Sequence, residues 1–563
     1  MNKKIAFVAY ETPFAPGGGI AAVLNHLPAA LKKVSDLSTY VITPFHRNIS
    51  KTTEMAPKMD KVSTIRIIYN GSSFPVDILL LSNDVNWVFL KVNEDQDIDI
   101  PFFDGCRHPY DVEKQNGDVA PTLLRDSLFF GKAAALAIPT IDSSSSWTLL
   151  LQDWETATTS LFANPMAENR FQKPFLTLHN CYDTYVPDET LDKFGIDSSN
   201  FPGDTVLQRA LPLVHKTVFT VSEQFALDLS KEVLQAQILA PHLKSELKLR
   251  LKGVNNGTFT NLTVPNKVLI SKKKENYTSF EEWKHQNRNS ALKAIKEFKP
   301  SEDKPIWGEP DRFTNEDVPW IVMAGRDDSR QKGYDLACSA IEKYLSTSKE
   351  ACFLFFPIPG EEGLPGINFL QELTNRFPEN VIAFPFLFRE GYFAIMQGAT
   401  YGLMPSYYEP FGMANEFYLK GAACIGRATG GILQQVVPYR PVSSFSASVE
   451  KRSARWHKHT SNPTGFLFRE EDDIPSELDD WQSINSADYD STGGSPNRLE
   501  QRQELVLFQS MAKALTSCLV DAINLYVDQP KTYYQFLSDG IEFISKGFTW
   551  KKAAQAYQRY INQ

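Results

Sequence analysis

Two stretches of the chain share one pattern, in which an apolar run passes through a polar, glycine-containing loop into an amphipathic segment. The first stretch has the run Ile5–Tyr10, the loop Gly17–Gly19 and apolar positions at helical spacing over 20–31. The second has the run Trp320–Gly325 and the amphipathic segment 333–345. Continuous apolar runs of this length are typical of parallel strands buried on both faces. The pattern therefore predicts two α/β domains, and a chain of 563 residues is long enough to form both.

Two other apolar runs end directly before polar residues that could serve a site. Leu149–Gln152 leads to Asp153, and Pro174–Leu178 leads to His179. In open α/β sheets, ligands bind at the carboxyl ends of the strands. Asp153 and His179 are therefore candidate site residues.

The segment 403–432 carries a third candidate, Glu409. The sequence predicts a strand at Gly402–Pro405, a loop at 409–412, a helix from about Ala414, a short strand and a turn at Gly430–Gly431. The N–H groups at the start of a helix favour anions, and a carboxylate beside them would repel phosphate. Glu409 is therefore predicted to face the hydroxyl groups of a sugar.

Composition narrows the class of protein. A net charge of -9 and a pI near 5.6 argue against nucleic acid as a partner. The six cysteines include no C-x-x-C pair and fit a reducing compartment. The first residues fit a β-strand better than a signal peptide, and no apolar run approaches the roughly 20 residues of a membrane span. We expect a cytoplasmic protein without a transmembrane segment.

The segment 403–432 resembles the glutamate motif of retaining GT-B glycosyltransferases, and most of all that of the starch/glycogen synthase family, with its Glu-Pro-x-Gly loop and Thr-Gly-Gly turn. Other segments resemble this family in the same order: the glycine loop and its helix, Asp153-Trp154, His179-Asn180, the Asn256-Gly257 turn, and the terminal Phe548-Thr549-Trp550. The resemblance runs from about Lys4 to Tyr560 and is interrupted at roughly 94–145 and 470–505.

The resemblance implies the GT-B fold, in which two doubly wound, Rossmann-like domains face each other across a cleft. Residues 1–257 would form the acceptor-side domain, with a C-terminal helix at 541–563 packed back on it. Residues 258–317 would be a solvated inter-domain segment. Residues 318–540 would bind the nucleotide sugar, with an acidic, exposed or partly disordered insertion at 470–501.

Two cations flank the loop after the second apolar run and suit a diphosphate. They are Arg326 and Lys332, and the family has an arginine and a lysine in the same loop. The family's pair is closer by one residue, so Arg330 stays open as the functional arginine. Arg326 is favoured because it stands at the end of the strand.

The resemblance also implies a set of donor-binding residues: Gly18, Gly19, Phe411, Gly412, Glu416, Thr429, Gly430 and Gly431. The backbone N–H groups of the two glycine pairs would help to bind the diphosphate. Glu409 would hold the hydroxyls of the transferred sugar. Glu416 would bind the ribose if a one-residue deletion in the preceding loop restores the family's spacing.

On the other domain, His179 would orient the transferred sugar or stabilise charge near its anomeric centre. Asp153, Trp154 and Asn256 would lie on the acceptor side. With no carboxylate pair at an obvious strand end, no metal site is predicted. Cations and helix dipoles would then stabilise the leaving diphosphate.

The resemblance implies a retaining, metal-independent hexosyltransferase. Its donor would be ADP- or UDP-glucose, its acceptor a glycan or other molecule, and it would need no cofactor. The sequence departs from the family at Pro16, where the family has a lysine, at Ala22, and at the base site near Leu387. A transferase acting on a host or cell-surface glycan therefore stays open.

Two alternatives come from other classes. A non-catalytic relative that binds a glycan or a nucleotide sugar is supported by Pro16 and Ala22. A sugar-phosphate isomerase or epimerase lacks an obvious pair of general bases. The oligomeric state is not predicted.

Overall fold

The computed structural model describes residues 3–49, 58–93, 101–116, 118–163, 173–271, 277–313, 318–360, 362–486 and 497–562. Within these ranges the chain divides into two compact units. The first unit takes the chain up to Lys231, then Leu239–Phe259, and again from Phe548. The second unit takes Glu232–Ile238 and Thr260–Gly547.

The strands are β1 (Lys3–Val8), β2 (Ser38–Pro44), β3 (Asp60–Tyr69), β4 (Ser72–Ser82), β5 (Asn86–Val92), β6 (Ser146–Gln152), β7 (Phe175–Leu178), β8 (Val218–Thr220), β9 (Leu251–Gly253), β10 (Trp320–Arg326), β11 (Cys352–Ile358), β12 (Val381–Ala383), β13 (Tyr401–Met404), β14 (Ala423–Arg427) and β15 (Phe466–Phe468).

The α-helices are α1 (Gly19–Leu24), α2 (Leu27–Ser35), α3 (Ala120–Ile141), α4 (Asp153–Ala157), α5 (Thr159–Ala163), α6 (Asp188–Asp192), α7 (Val206–Ala210), α8 (Glu223–Lys231), α9 (Lys244–Leu247), α10 (Asn266–Ser271), α11 (Thr278–Glu297), α12 (Tyr334–Leu345), α13 (Asn368–Arg376), α14 (Arg389–Gly398), α15 (Ala414–Leu419), α16 (Gly430–Gln435), α17 (Ala447–Ser453), α18 (Glu477–Ser486), α19 (Arg498–Arg502), α20 (Val506–Asp528), α21 (Pro530–Gly547) and α22 (Trp550–Ile561).

The first unit is built on one sheet with the strand order β3-β4-β5-β2-β1-β6-β7-β8-β9. Only the pairs β3–β4 and β4–β5 are antiparallel. A turn at Asn70-Gly71 joins β3 to β4, and both residues have the positive φ that such a turn requires. The strand order reverses beside β1, whose neighbours are β2 and β6. The carboxyl ends of β1, β6 and β7 therefore lie at one edge, where a doubly wound sheet binds ligands.

The second unit is built on an all-parallel sheet with the order β12-β11-β10-β13-β14-β15. Its apolar strands are buried on both faces, as predicted from the continuous apolar runs. The order reverses between β10 and β13, which are neighbours in the sheet although β11 and β12 lie between them along the chain. The loops that follow these two strands are therefore brought side by side.

The expectation of a solvated segment at 258–317 is corrected by helix α11. Its Lys284 and Arg288 are fully buried in the second unit. Lys284 Nζ donates to the carbonyl oxygens of Ala399 and Gly421, and burial holds the pKa of Lys284 well below its usual range. These two charged residues of the helix therefore bind protein groups rather than water. The lysine run at 272–274 lies outside the described residues.

The expectation of an exposed insertion at 470–501 is also corrected. Glu470 is buried in an ion pair with Arg427, and Trp481 of α18 is buried. Arg498 and Arg502 of α19 are buried as well. Residues 487–496 lie outside the described ranges.

One helix differs from the expectation that no apolar run could span a membrane. By length and composition alone, α20 is long and apolar enough to do so. In the second unit it buries one face, which includes Leu507, Met511 and Leu515. The apolar composition of α20 is therefore also explained by its place as a core helix of the second unit.

The C-terminal helix predicted at 541–563 is two helices. α21 ends at Gly547 in the second unit, and α22 begins at Trp550 in the first. Trp550 Nε1 donates to the carbonyl oxygen of Thr258 at 2.8 Å, and its ring stacks on His26. Tyr557 is buried in the core of the first unit. The chain therefore completes its first unit with its last helix.

Candidate functional site

The second unit brings Lys332 and Glu409 together. Lys332 lies in the loop after β10, and Glu409 lies in the loop after β13. Lys332 Nζ is 2.8 Å from Glu409 Oε2, with side chains 26% and 6% exposed respectively. Ser406 Oγ donates to the same carboxylate oxygen at 3.0 Å. The two residues that the sequence predicted for the diphosphate and the sugar thus form an ion pair with each other.

Backbone contacts hold these two loops against each other. Tyr407 N–H donates to the carbonyl oxygen of Gln331 at 2.7 Å. Gly333, which precedes α12, has φ +69°, and a Cβ on it would stand 2.6 Å from the carbonyl oxygen of Pro405. Only glycine fits this approach.

The Thr429-Gly430-Gly431 turn packs directly against the backbone of Glu409. Gly430 has φ +46°, and a Cβ there would stand 1.6 Å from the carbonyl oxygen of Glu409. The Gly431 N–H donates to that same oxygen at 3.1 Å. This corrects the expectation that the Gly431 N–H faces the diphosphate. Thr429 Oγ1 is buried and has no hydrogen-bond partner in the described part of the chain.

The other predicted donor-binding residues of this unit lie around the same loop. The Phe411 ring is buried, and its carbonyl oxygen accepts from Gln435 Nε2 at 2.6 Å. Gly412 has φ +83°, as its predicted sharp turn requires. Glu416 is half-buried on α15 and pairs with Lys420 at 3.4 Å. A ribose role for Glu416 would compete with that ion pair.

Both candidate arginines, Arg326 and Arg330, are exposed. Arg326 is the last residue of β10, whereas Arg330 lies in the middle of the loop, where its N–H donates to Asp328 Oδ1 at 3.1 Å. Leu387, at the predicted base site, is 60% exposed. Arg326 keeps the position at the strand end for which it was favoured.

The first unit brings His179 to Asp153 because β6 and β7 are neighbours. The His179 N–H donates to Asp153 Oδ1 at 2.5 Å, and Asn180 Nδ2 donates to Asp153 Oδ2 at 3.2 Å. Asp153 itself has φ +59°, a strained backbone for a non-glycine residue. Both carboxylate oxygens of Asp153 are thus used to fix the loop that carries His179.

The hydrogen bonds of Gln152 define which His179 nitrogen carries the proton. Gln152 Nε2 donates to the carbonyl oxygen of Leu150 at 3.0 Å, so Gln152 Oε1 faces His179 Nε2 at 2.8 Å. An amide oxygen only accepts, so His179 Nε2 must donate. Burial lowers the pKa of His179 to about 3. The ring is therefore neutral at neutral pH, and Nδ1 is its acceptor nitrogen.

Helix α4, which follows β6, carries two buried carboxyl groups, Asp153 and Glu155. Burial raises the pKa of Asp153 to about 8. Burial, reinforced by the charge of Asp153, holds the pKa of Glu155 well above its usual range. Trp154, between them, is buried, and so is Asn256, whose N–H donates to the carbonyl oxygen of Val221 at 3.2 Å.

Sequence reasoning missed Glu11, which occupies the glycine loop. Glu11 is buried directly after β1, and its Oε1 accepts from the Ala21 N–H at 3.0 Å. Burial raises its pKa, while N–H groups of Gly17, Gly18, Ile20 and Ala21 oppose that rise. The Ala21 N–H of α1 is therefore used by Glu11, and the use of the Gly18 and Gly19 N–H groups for the diphosphate stays a prediction. The signal was a lone acid at a strand end, before a glycine loop.

Comparisons with known proteins agree with this architecture. A model of the starch synthase catalytic domain matches residues 4–243. The glycogen synthase of Thermosipho africanus is 23% identical over 467 residues, which is 77% of this chain and 85% of that protein. The glycogen synthase of Geotalea uraniireducens is 25% identical over 514 residues, which is 86% of this chain and 90% of that protein.

Among solved structures, the catalytic domain of starch synthase IV from Arabidopsis thaliana, bound to ADP and acarbose, is similar with a TM-score of 0.68. The match is 17% identical and covers 99% of this chain and 98% of that one. The fold is therefore GT-B, as predicted.

The predicted family is confirmed as well. The chain is a distant homologue of the glycogen synthases over most of its length, and its residues 4–243 match the starch synthase catalytic domain.

The pKa of Asp153 generates a pH prediction. Because this pKa is about 8 in the folded protein and about 4 in an unfolded chain, the folded state holds the extra proton between these values. Stability should therefore fall as the pH rises through this range. Asp153→Asn removes that proton exchange, so its melting temperature should decline less steeply than that of the wild type between about pH 5 and 8.

Thermal unfolding followed by circular dichroism at several pH values measures this slope. Asp142→Asn serves as the control, because the hydrogen bond from Lys4 holds the pKa of Asp142 far below this range. Parallel curves for Asp153→Asn and the wild type would show that Asp153 is ionised in the folded protein.

Proposed function

We propose that this protein transfers a glucosyl unit from a nucleoside-diphosphate sugar to a glucan chain, with retention of anomeric configuration and without a metal ion. The Lys332–Glu409 ion pair carries the proposal. It joins a cation suited to a diphosphate with a carboxylate suited to sugar hydroxyls, at the carboxyl edge of one parallel sheet. The starch synthase IV structure, which holds ADP and acarbose, supports a nucleotide donor and a glucan acceptor.

The charge balance of the pair explains how a carboxylate can stand beside a diphosphate site. Two like charges 4 Å apart repel by about 1 kcal/mol in water and about 4 kcal/mol near a protein surface. Lys332 neutralises Glu409, so an incoming diphosphate meets no net negative charge there. The Lys332 ammonium has three N–H donors and can bond both groups at once.

Charge develops on the diphosphate as the sugar leaves. In this proposal Lys332 and the exposed Arg326 stabilise that charge, and Glu409 holds the sugar hydroxyls in place. ADP- or UDP-glucose is the proposed donor. The described residues contain no cluster of three or more His, Cys, Asp or Glu that could hold a metal.

In the first unit, His179 is proposed to orient the transferred sugar through its Nδ1, which accepts a hydrogen bond from a hydroxyl. The neutral ring does not favour the alternative in which His179 stabilises charge as a cation. Asp153 acts through His179 and Asn180, which occupy both of its oxygens. Trp154 and Asn256 remain proposed acceptor-side residues.

A non-catalytic relative is the second candidate. Besides Pro16 and Ala22, it is supported by Glu11, whose buried carboxyl group accepts from the Ala21 N–H directly after the glycine loop. Such a protein would bind a nucleotide sugar or a glycan without turnover.

A donor screen separates the two candidates. The protein is incubated with ADP-glucose, UDP-glucose and other nucleotide sugars, with glycogen or maltoheptaose as the acceptor, and the released nucleoside diphosphate is measured. We expect release that depends on the acceptor and that persists in EDTA. Binding of a donor without release would support the non-catalytic relative, and loss of activity in EDTA that magnesium restores would overturn the metal-independent mechanism.

Removing either cation should slow turnover while the fold survives. Lys332→Ala and Arg326→Ala each remove a positive charge from the developing diphosphate, an effect of about 3 kcal/mol or at least 100-fold in kcat. Arg330→Ala is the matched control, an exposed arginine of the same loop, and should retain most of the activity. A large loss in Arg330→Ala with a normal Arg326→Ala would transfer the diphosphate role to Arg330.

A further inference from the structure

The segment expected to be an exposed insertion ends in a helix whose arginines are buried in the second unit. Arg498 and Arg502 lie one turn apart on α19 and are 2% and 1% exposed. Buried arginines need partners for their charge. Both find these partners in the two loops that carry Lys332 and Glu409.

Arg498 holds the loop after β10. Its two terminal nitrogens pair with the two carboxylate oxygens of Asp327, at 2.8 and 3.1 Å. Asp327 directly follows Arg326, and its N–H donates to the carbonyl oxygen of Ile358 at 2.7 Å. The two-point contact therefore fixes the start of the loop that ends at Lys332.

Arg502 joins the same loop to the one after β13. Its guanidinium is 2.6 Å from Asp335 Oδ2, in the first turn of α12. The Tyr407 hydroxyl donates to Asp335 and lies 3.3 Å from Arg502. Tyr407 is two residues before Glu409. Asp335 thus links α19 to both sides of the Lys332–Glu409 pair.

The charges of this group are balanced and enclosed. Burial acts to raise the pKa of Asp335, but Arg502 and Arg498 outweigh it and keep that pKa below its usual range. Replacing a buried ion pair by apolar residues often costs no stability. The bidentate contact between Arg498 and Asp327, in contrast, fixes the position of the loop. An error of about 1 Å at a catalytic group can cost 100-fold in rate.

We propose that Arg498 and Arg502 are positioning residues of the donor site. They hold the loops 326–333 and 405–412 in the arrangement in which Lys332 reaches Glu409. The assignment of Arg498 and Arg502 to the donor site rests on the proposed function, whereas their role in ordering the two loops does not.

Arg498→Lys tests the inference, because lysine keeps the charge but cannot make the two-point contact. We expect kcat/KM for the nucleotide sugar to fall about 10- to 100-fold, affinity for the free nucleoside diphosphate to weaken, and KM for the glucan to stay unchanged. Asp327→Asn removes the charge from the other side of the contact and should have the same effects. It replaces Arg498→Lys in the test if that variant does not fold.

Arg288→Lys is the matched control. Arg288 is equally buried in the same unit and donates to Gly398 O, Val318 O and Thr400 Oγ1. These partners precede β10 and β13, so Arg288 acts at the amino ends of these two strands. Arg498 and Arg502 contact the opposite, carboxyl ends. Its substitution should lower the melting temperature and leave diphosphate affinity unchanged. Equal losses of melting temperature with unchanged diphosphate affinity in both variants would overturn the proposal.

Amide hydrogen exchange without ligand keeps the test independent of activity. Exchange in loops 326–333 and 405–412 should be faster in Arg498→Lys and unchanged in Arg288→Lys. If exchange rises as expected but no nucleotide sugar is used by the wild type, the proposed function fails and the loop-ordering role stands. Unchanged exchange in Arg498→Lys would overturn that role.

Discussion

The ion pair between Lys332 and Glu409 is the interaction on which the second unit is organised. A carboxylate and an ammonium group that are largely removed from water must compensate each other, and a single missing partner would leave a buried charge. The pair forms because the parallel sheet places β10 beside β13. It stays in place because Gly333 and Gly430 let backbone approach backbone more closely than any side chain would permit. The glycines of this region therefore shape the loops as much as they could serve a ligand.

The first unit also carries buried polar groups at the carboxyl ends of its parallel strands, but it compensates them in a different way. Here the buried groups at the strand ends are Glu11, Asp153 and His179, and cations are not used to compensate them. Backbone N–H groups and amide side chains do so instead. The result is a neutral histidine with a defined acceptor nitrogen, held by two neighbouring strands. The strand ends of the second unit thus carry charged groups, and those of the first carry oriented neutral groups.

The sequence predicted the parts of the fold that depend on apolar periodicity. The buried runs at Ile5 and Trp320 and the helix at Ala414 all lie where the pattern indicated. Glu409 was predicted because it follows a strand, and Lys332 because it flanks the loop after one. That they contact each other could not be found, because it depends on the strand order of the sheet.

The errors share one physical cause. Charged residues were interpreted as exposed, so α11 with Lys284 and α19 with Arg498 were expected to be solvated. Pattern alone cannot distinguish a charge in water from a charge that is buried against a carbonyl or a carboxylate. Glu11 was missed for a related reason, since its partner is the backbone N–H of Ala21 and not a charged side chain that the sequence would show.

The central claim is that Lys332 and Glu409 act as one unit in the donor site, and a double-mutant cycle tests it most directly. Calorimetry gives the affinity for nucleoside diphosphate in the wild type, Lys332→Ala, Glu409→Gln and the double variant. The account predicts that Lys332→Ala weakens binding strongly when Glu409 keeps its charge and much less when it does not, with a coupling of at least about 1 kcal/mol. Additive effects, or weaker binding in Glu409→Gln alone, would contradict it.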